Sequence, residues 1–311
     1  MFKKVLVPTD FSSYAHKMQE CLAEMPGIEE VVLLNVVDGG NPMNLERKGW
    51  SYDSLIDEAE TRLAEQADHL SNLGEKGFQV RPILKVIVEP MSGADGVDMK
   101  RLKPGSGQKI VEGGSVGEAI IKTAAEEKSS LICMGAQGRG LIEGMLLGSV
   151  STEVLRQGQT DLLIVRYKIL EGGKGGEPER SCRDIFSRVL LTTDFSEAGV
   201  KAISVAKDLT GVREILLVHV ISKEDEFEEA AKRLNLLRVE MAGKGRKITV
   251  HVPMGHAAQE ILSLAKKQDV SLIMMGSQGK SWSRQIRVGS TTFDVARQAS
   301  SPVMVIRPLK D

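Results

Sequence analysis

Two aspartates and two sets of glycines are the residues of this chain best placed to do chemistry, and all of them fall where apolar runs end. Gly135, Gly138 and Gly148-Ser149 follow the run Leu131 to Met134, and Gly276, Gly279 and Gly289-Ser290 follow Leu272 to Met275. Each set reads Gly, two residues, Gly, nine residues, Gly-Ser. Glycines let backbone amides approach a phosphate with no Cβ in the way. A helix starting at each Gly-Ser adds unpaired N–H groups, a positive dipole end and a capping serine hydroxyl. The loop cations Arg139, Lys280, Arg284 and Arg287 could meet phosphate charge, although such residues are more often merely solvated. The bland alternative is that the glycines only make tight turns. With 31 glycines in 311 residues one match is weak, but the chain writes the pattern twice between strand-like and helix-like segments.

Alternating elements must position these residues. Lys4 to Val7 reads as a strand stopped by Pro8-Thr9-Asp10, and Ser12 or Ser13 can cap a helix to about Met25. Val31 to Val37 is an apolar strand broken by Asn35, Asn41 to Trp50 a loop, and Tyr52 to Leu73 an amphipathic helix. Val80 to Val88 is strand-like, with Pro82 pointing to an edge or a bulge. Glu89 to Gly107 has no counterpart later in the chain and reads as an inserted surface loop, a lid, a partner site or plain decoration. Lys109 to Glu112 is a short strand and Val116 to Glu127 a helix feeding Leu131. After the polar linker Glu171 to Glu179 the order repeats. Strands are expected at Val189 to Leu191, Ile215 to Ile221 and Lys247 to Val252; helices at Ser196 to Leu209, Glu224 to Ala242 and Ala257 to Lys267. Asp10 to Val36 spans 26 residues, and so does Asp194 to Val220, which argues for duplication. The expected architecture is α/β: two tandem, doubly wound parallel-sheet domains, residues 1–168 (insertion near 89–107) and 187–311, joined by a linker at 169–186. In such sheets ligands sit at the carboxyl ends of strands near the switch in strand order, where Asp10, Asp194, Gly135 and Gly276 fall.

Composition narrows the function classes. The chain is 41% hydrophobic and 27% charged with a net charge of −1, so no bulk field favours nucleic acid or anionic lipid. Its apolar runs are far too short to span a membrane, and its start does not resemble a signal peptide. Cys21, Cys133 and Cys182 are scattered; Cys133 lies within a strand as a small core residue, and a cytoplasmic location fits best. Catalytic machinery is hard to find: there is no G-x4-G-K-[ST] loop and no cluster with metal-ligand spacing. Among the scattered histidines, His219 stands where the first half has Asn35, which favours strand-end packing over catalysis.

The doubled Gly-x2-Gly-x9-Gly-Ser signature resembles the ATP-binding branch of the universal stress protein family, and the openings VLVPTDFS at Val5 and VLLTTDFS at Val189 strengthen the match. The resemblance covers nearly the whole chain and implies an adenine nucleotide alpha hydrolase-like, Rossmann-like fold. It implies ATP, or ADP or AMP, with Mg2+ or Mn2+ on the phosphates. The implied first-site residues are Pro8, Thr9, Asp10, Val36, Met134, Gly135, Gly138, Arg139, Gly148, Ser149 and Val150. For the second site they are Thr193, Asp194, Val220, Met275, Gly276, Gly279, Gly289, Ser290 and Thr291. Independently, a carboxylate at a strand end suits ribose hydroxyls or an adenine amine; its alternative role is to cap the following helix. Thr192 in place of Pro8, Ser281 in place of Gly140 and the bulkier stretch KSWSRQIRV allow the two sites unequal affinity. The resemblance further implies that Leu162 to Val165 and Val303 to Ile306 pair, making an internal pseudo-dimer, with a homodimer and an unknown protein partner possible beyond it. A regulatory nucleotide-binding module is the leading expectation; a slow ATPase or nucleotide-dependent hydrolase and a ligand-free scaffold are the alternatives.

Overall fold

Strand residues alternate between two apolar faces, and that alternation sets the architecture. The computed structural model describes residues 2–23, 25–38, 52–73, 78–88, 108–136, 147–166, 185–243, 245–279 and 287–308. The first half runs β1 (Lys4–Thr9), α1 (Ser13–Ala23), β2 (Glu30–Asp38), α2 (Tyr52–Leu73), β3 (Gln79–Val88), β4 (Gln108–Glu112), α3 (Val116–Glu126), β5 (Leu131–Gly135), α4 (Ser149–Gln157) and β6 (Asp161–Val165). The second runs β7 (Arg188–Thr192), α5 (Glu197–Asp208), β8 (Glu214–Val218), a 3-10 turn (Glu224–Glu226), α6 (Phe227–Glu240), β9 (Lys247–His251), α7 (Ala257–Lys267), β10 (Leu272–Gly276), α8 (Ser290–Gln298) and β11 (Val303–Ile306). Val5, Val7, Val31 and Leu33 pack on one side of the sheet with Met18, Leu22, Leu63 and Leu70 from α1 and α2. Leu6, Val32 and Leu34 face the other side, against Ile120, Ala124, Val154 and Leu155 from α3 and α4. Burying each such side chain contributes about 1.5–3 kcal/mol, so a strand covered on both faces is stable only as an apolar run.

The strands form one sheet in the order β4-β3-β2-β1-β5-β6-β11-β10-β7-β8-β9. Within each half every pairing is parallel, as the alternation of strands and helices requires. The halves meet where β6 and β11 pair antiparallel, Leu163 opposite Met304, so both core faces run on from one half into the other. Strand order reverses at β1 and β5 and again at β7 and β10, the places where sheets of this kind hold ligands.

The elements match the sequence reading with local differences. Pro82 lies two residues before the β4 ladder begins at Leu84, and so outside that pairing, where a residue without an N–H is tolerated. The expected strand to Ile221 stops at Val218, and Ile221 is joined only by an isolated bridge to Met254. Pro253, which lacks a donor, interrupts the neighbouring ladder just there. Lys85, buried in β3, is ion-paired with Glu126 of α3 at 3.0 Å. Cys133 is the free cysteine among the described residues; burial pushes its thiol up to about 12. Among those residues no helix is long and apolar enough to cross a membrane. The loop Asn41 to Trp50, the insertion 89–107 and the linker Glu171 to Glu179 lie outside the described residues.

Candidate functional site

Each half builds the same turn from Thr-Asp-Phe-Ser at the end of its first strand. The Oγ1 of Thr9 accepts the N–H of Phe11 at 3.1 Å, and that of Thr193 accepts the N–H of Phe195 at 2.9 Å. Oδ1 of Asp10 accepts the N–H of Ser12 at 3.0 Å, and Oδ1 of Asp194 does the same for Ser196 at 3.0 Å. The two serines then cap α1 and α5 through the N–H groups of Ala15 and Gly199. One carboxylate oxygen of each aspartate thus closes the turn before the helix, and the helix caps themselves are the serines. Phe11 and Phe195 sit at φ +61° and +63°, a region that ring-bearing residues rarely enter. The preceding carbonyls are held as well: Asn35 Nδ2 donates to Thr9 O at 2.8 Å, and His219 Nδ1 donates to Thr193 O at 2.7 Å. His219 thus does the strand-end work of Asn35, and that bond places its proton on Nδ1.

The glycine loops return to the same strand ends. The N–H of Gly148 bonds to Ala136 O at 2.8 Å and that of Gly289 to Ser277 O at 2.8 Å, seating α4 and α8 beside β5 and β10. Ser151 and Thr292 tie these helices to the carbonyls of Gly135 and Gly276 at 2.9 and 2.8 Å, a contact the sequence reading missed although both halves carry a hydroxyl there. The expected serine cap is corrected. Gly148 and Gly289 are the N-caps, in extended backbone with no side-chain cap, and Ser149 and Ser290 are the first helical residues. The amides of Ser149, Val150 and Ser151, like those of Ser290, Thr291 and Thr292, lie in the first turn and have no intrahelical acceptor, so the positive end of each helix dipole favours an anion.

In the second half the turn and the loop touch. Ser196 Oγ donates to Gln278 O at 3.1 Å, and a Cβ on Gly279 would stand 2.8 Å from Oδ2 of Asp194. A Cβ on Gly276 would lie 2.8–2.9 Å from Ala198 and the amide of Gly199, so this glycine lets α5 approach the strand. Thr193, Asp194, Gly276, Gly279, Gly289, Ser290 and Thr291 therefore gather at one end of the sheet. Met275 and Val220 pack in the core face beneath, as do Met134 and Val36 in the first half. Pro8, Thr9, Asp10, Gly135, Gly148, Ser149 and Val150 occupy the matching places. Gly138, Arg139, Lys280 and Arg284 lie outside the described residues. Among the described residues no group of three or more His, Cys, Asp or Glu could hold a metal ion.

Arg287 reaches across to the first half, where its Nη1 donates to Gln157 O at 2.9 Å. It belongs to the seam between the halves, where the buried Arg307 and the half-buried Arg166 cross. Arg307 donates to Leu155 O at 2.6 Å and to Arg287 O at 2.8 Å, while its backbone N–H bonds Asp161 Oδ1 at 2.7 Å. Arg166 reaches the opposite way to Ala296 O and, at 2.8 Å, to Arg297 O. Each arginine caps the carbonyl end of the other half's helix, where a cation is favoured. Burial nevertheless pulls both guanidinium groups down to about 10. A cleft of about 420 Å³ opens at this seam, lined by Lys122, Arg156 and Arg287 among others.

Set beside known proteins, this geometry has counterparts. The model of the Universal stress protein family matches residues 1–166 and again 186–307. Universal stress protein Rv1996 of Mycobacterium tuberculosis is 23% identical over 330 residues, covering 99% of this chain and 96% of its own. Universal stress protein MJ0577 of Methanocaldococcus jannaschii is 26% identical over 155 residues, 40% of this chain and 96% of its own. Among solved structures, a universal stress protein from Archaeoglobus fulgidus superposes with a TM-score of 0.66 at 26% identity, covering 98% of this chain and 96% of that one.

Proposed function

Because the chain belongs to the universal stress protein family, we propose that each half binds an adenine nucleotide and that the protein works as a regulatory nucleotide-binding module. One observation carries the reading: at both switch points an aspartate turn closes the first strand and a glycine-capped helix starts from the same end of the sheet. ATP, ahead of ADP or AMP, suits that arrangement. First-turn amides and a helix dipole favour a chain of phosphates, and Asp10 or Asp194 can offer carboxylate oxygen to ribose hydroxyls or an adenine amine. Val36 and Val220 supply an apolar wall for a base. Mg2+ or Mn2+ would be carried by the phosphates, with the hydroxyls of Ser149 and Ser290 nearby on the first helical turn.

Binding without efficient turnover is the expected behaviour, because phosphoryl transfer also needs a positioned nucleophile and none is identified among the residues gathered here. We take the domains as 1–168 and 187–311 around a linker at 169–186. The antiparallel β6–β11 contact supports reading them as an internal pseudo-dimer in a cytoplasmic protein, with pairing of two chains and a protein partner as further possibilities. The test is to denature the untreated protein and count released adenine nucleotides per chain by chromatography and mass. Two per chain, as ATP, supports two working sites in a sensor or store. No nucleotide released and no ATP taken up on titration refutes the reading in favour of a ligand-free scaffold, and many turnovers per minute refutes it in favour of an enzyme.

A further inference from the structure

The two left-handed phenylalanines are each covered by an arginine from the helix after β2 or β8. Arg62 of α2 places its Cζ 4.6 Å from the ring centroid of Phe11, and Arg233 of α6 places its Cζ 3.7 Å from that of Phe195. Arg62 Nη2 also approaches Phe11 O at 3.4 Å. The separations in sequence differ, 51 residues in the first half and 233 − 195 = 38 in the second, so the spacing was not copied while the contact was kept. A guanidinium over an aromatic face is attracted by the ring's negative quadrupole. Each phenylalanine directly follows the site aspartate, and its N–H closes the turn through the threonine. Phe195 also meets His219, whose tilted ring has its centroid 4.8 Å away.

We propose that Arg62 and Arg233 are positioning residues for nucleotide binding, each pinning a strained phenylalanine so that the neighbouring aspartate keeps its aim. This rests on the nucleotide reading above. Without the arginine the phenylalanine can relax toward ordinary φ, and Asp10 or Asp194 turns with it. In the second half that motion also draws Asp194 Oδ2 away from Gly279, against which it now lies.

The test is calorimetric titration of the full-length protein with ATP, alongside melting curves. Arg233→Ala should weaken one of two ATP sites about two- to fivefold, Arg62→Ala the other, and Arg233→Lys should recover part of the loss. Phe195→Gly removes both the ring and the backbone strain, so adding Arg233→Ala to it should cost no further affinity. Wild type that binds ATP while both alanine variants bind equally well overturns the positioning role and leaves the nucleotide reading standing. So does a loss shared by both sites that tracks a lowered melting temperature, since that marks a merely structural arginine. Wild type that binds no ATP defeats the nucleotide reading and this proposal with it.

Discussion

Three glycines of the second loop look equivalent in sequence, and the structure assigns each a different fate on substitution by alanine. At Gly276 the new methyl would meet Ala198 C, Ala198 Cβ and Gly199 N at 2.8–2.9 Å, and these atoms belong to a helix that cannot yield locally. Such overpacking costs about 1–3 kcal/mol, and at about 2–4 °C per kcal/mol for domains of 150–250 residues Gly276→Ala should melt several degrees lower. At Gly279 the methyl meets only Oδ2 of Asp194, at 2.8 Å, which a side-chain rotation relieves. Gly279→Ala should therefore keep its melting temperature but lose a charged hydrogen bond to the nucleotide, about 1.5–3 kcal/mol or roughly 10- to 150-fold in affinity. At Gly289 the nearest atoms are 3.8–4.0 Å away and the backbone is extended. Gly289→Ala should stay within about 1 kcal/mol of wild type, because the gain of about 0.4–1 kcal/mol from restricting the unfolded chain is offset by alanine being a poorer N-cap than glycine, while binding phosphate less well. Thermal denaturation and ATP titration of the three variants read both quantities. If Gly289→Ala melts lowest, or if Gly276→Ala alone affects binding, the division of labour drawn here is wrong.

Other perturbations test the surrounding frame. Arg307→Met removes the guanidinium that donates to Leu155 O across the seam and to Arg287 O within its own half, and leaves Asp161 without that cation nearby. A loss of about 2–4 kcal/mol is expected after the regained cost of burying the guanidinium, and an unchanged denaturant midpoint would count against the seam as described. His219→Asn should stay within about 0.5 kcal/mol of wild type by reproducing the Asn35 contact, whereas His219→Leu should lose about 1–2 kcal/mol by stranding Thr193 O; equal stability of the two variants would contradict the shared role. Asp161 is held above the usual carboxylate range, by burial first, opposed by Arg307 and Lys201. Between its unfolded and folded values the folded state holds the extra proton, so this group's contribution falls as pH rises through that window. Relative to wild type, Asp161→Asn should gain stability from about pH 4 upward, and a gain in the opposite direction refutes the assignment.

Repetition made most of this fold legible. The equal 26-residue spacing seen in sequence reappears as the hydrogen bonds from Asn35 to Thr9 and from His219 to Thr193. Apolar runs bounded by Gly, Pro and Asp marked the strands because burial on both faces leaves little choice of residue. Boundaries were less readable. Gly148-Ser149 offers two residues with capping ability, and only the backbone angles decide which one caps. Arg62 and Arg233 were hidden because helices of different length deliver them at different separations. Arg166 and Arg307 were visible, each closing a terminal strand, but a lone arginine after a strand gives no sign of the helix end it will meet. Arg287 was weighed for phosphate because it stands in the glycine loop, and the carbonyl of Gln157 accepts from it.

Joining β6 to β11 within one polypeptide also lifts a constraint. A two-fold contact between identical chains must repeat every substitution on both sides of its axis, so a lone charge cannot be placed there. In this chain Asp161 takes the N–H of Arg307 and the ammonium of Lys201, whereas the corresponding position before β11 is Pro302. The charge is present once. A gene encoding both halves can let one side drift while the other is kept, and the two strand-end sites can diverge in the same way. Any difference in nucleotide preference between them would then be inherited as a property of the single chain.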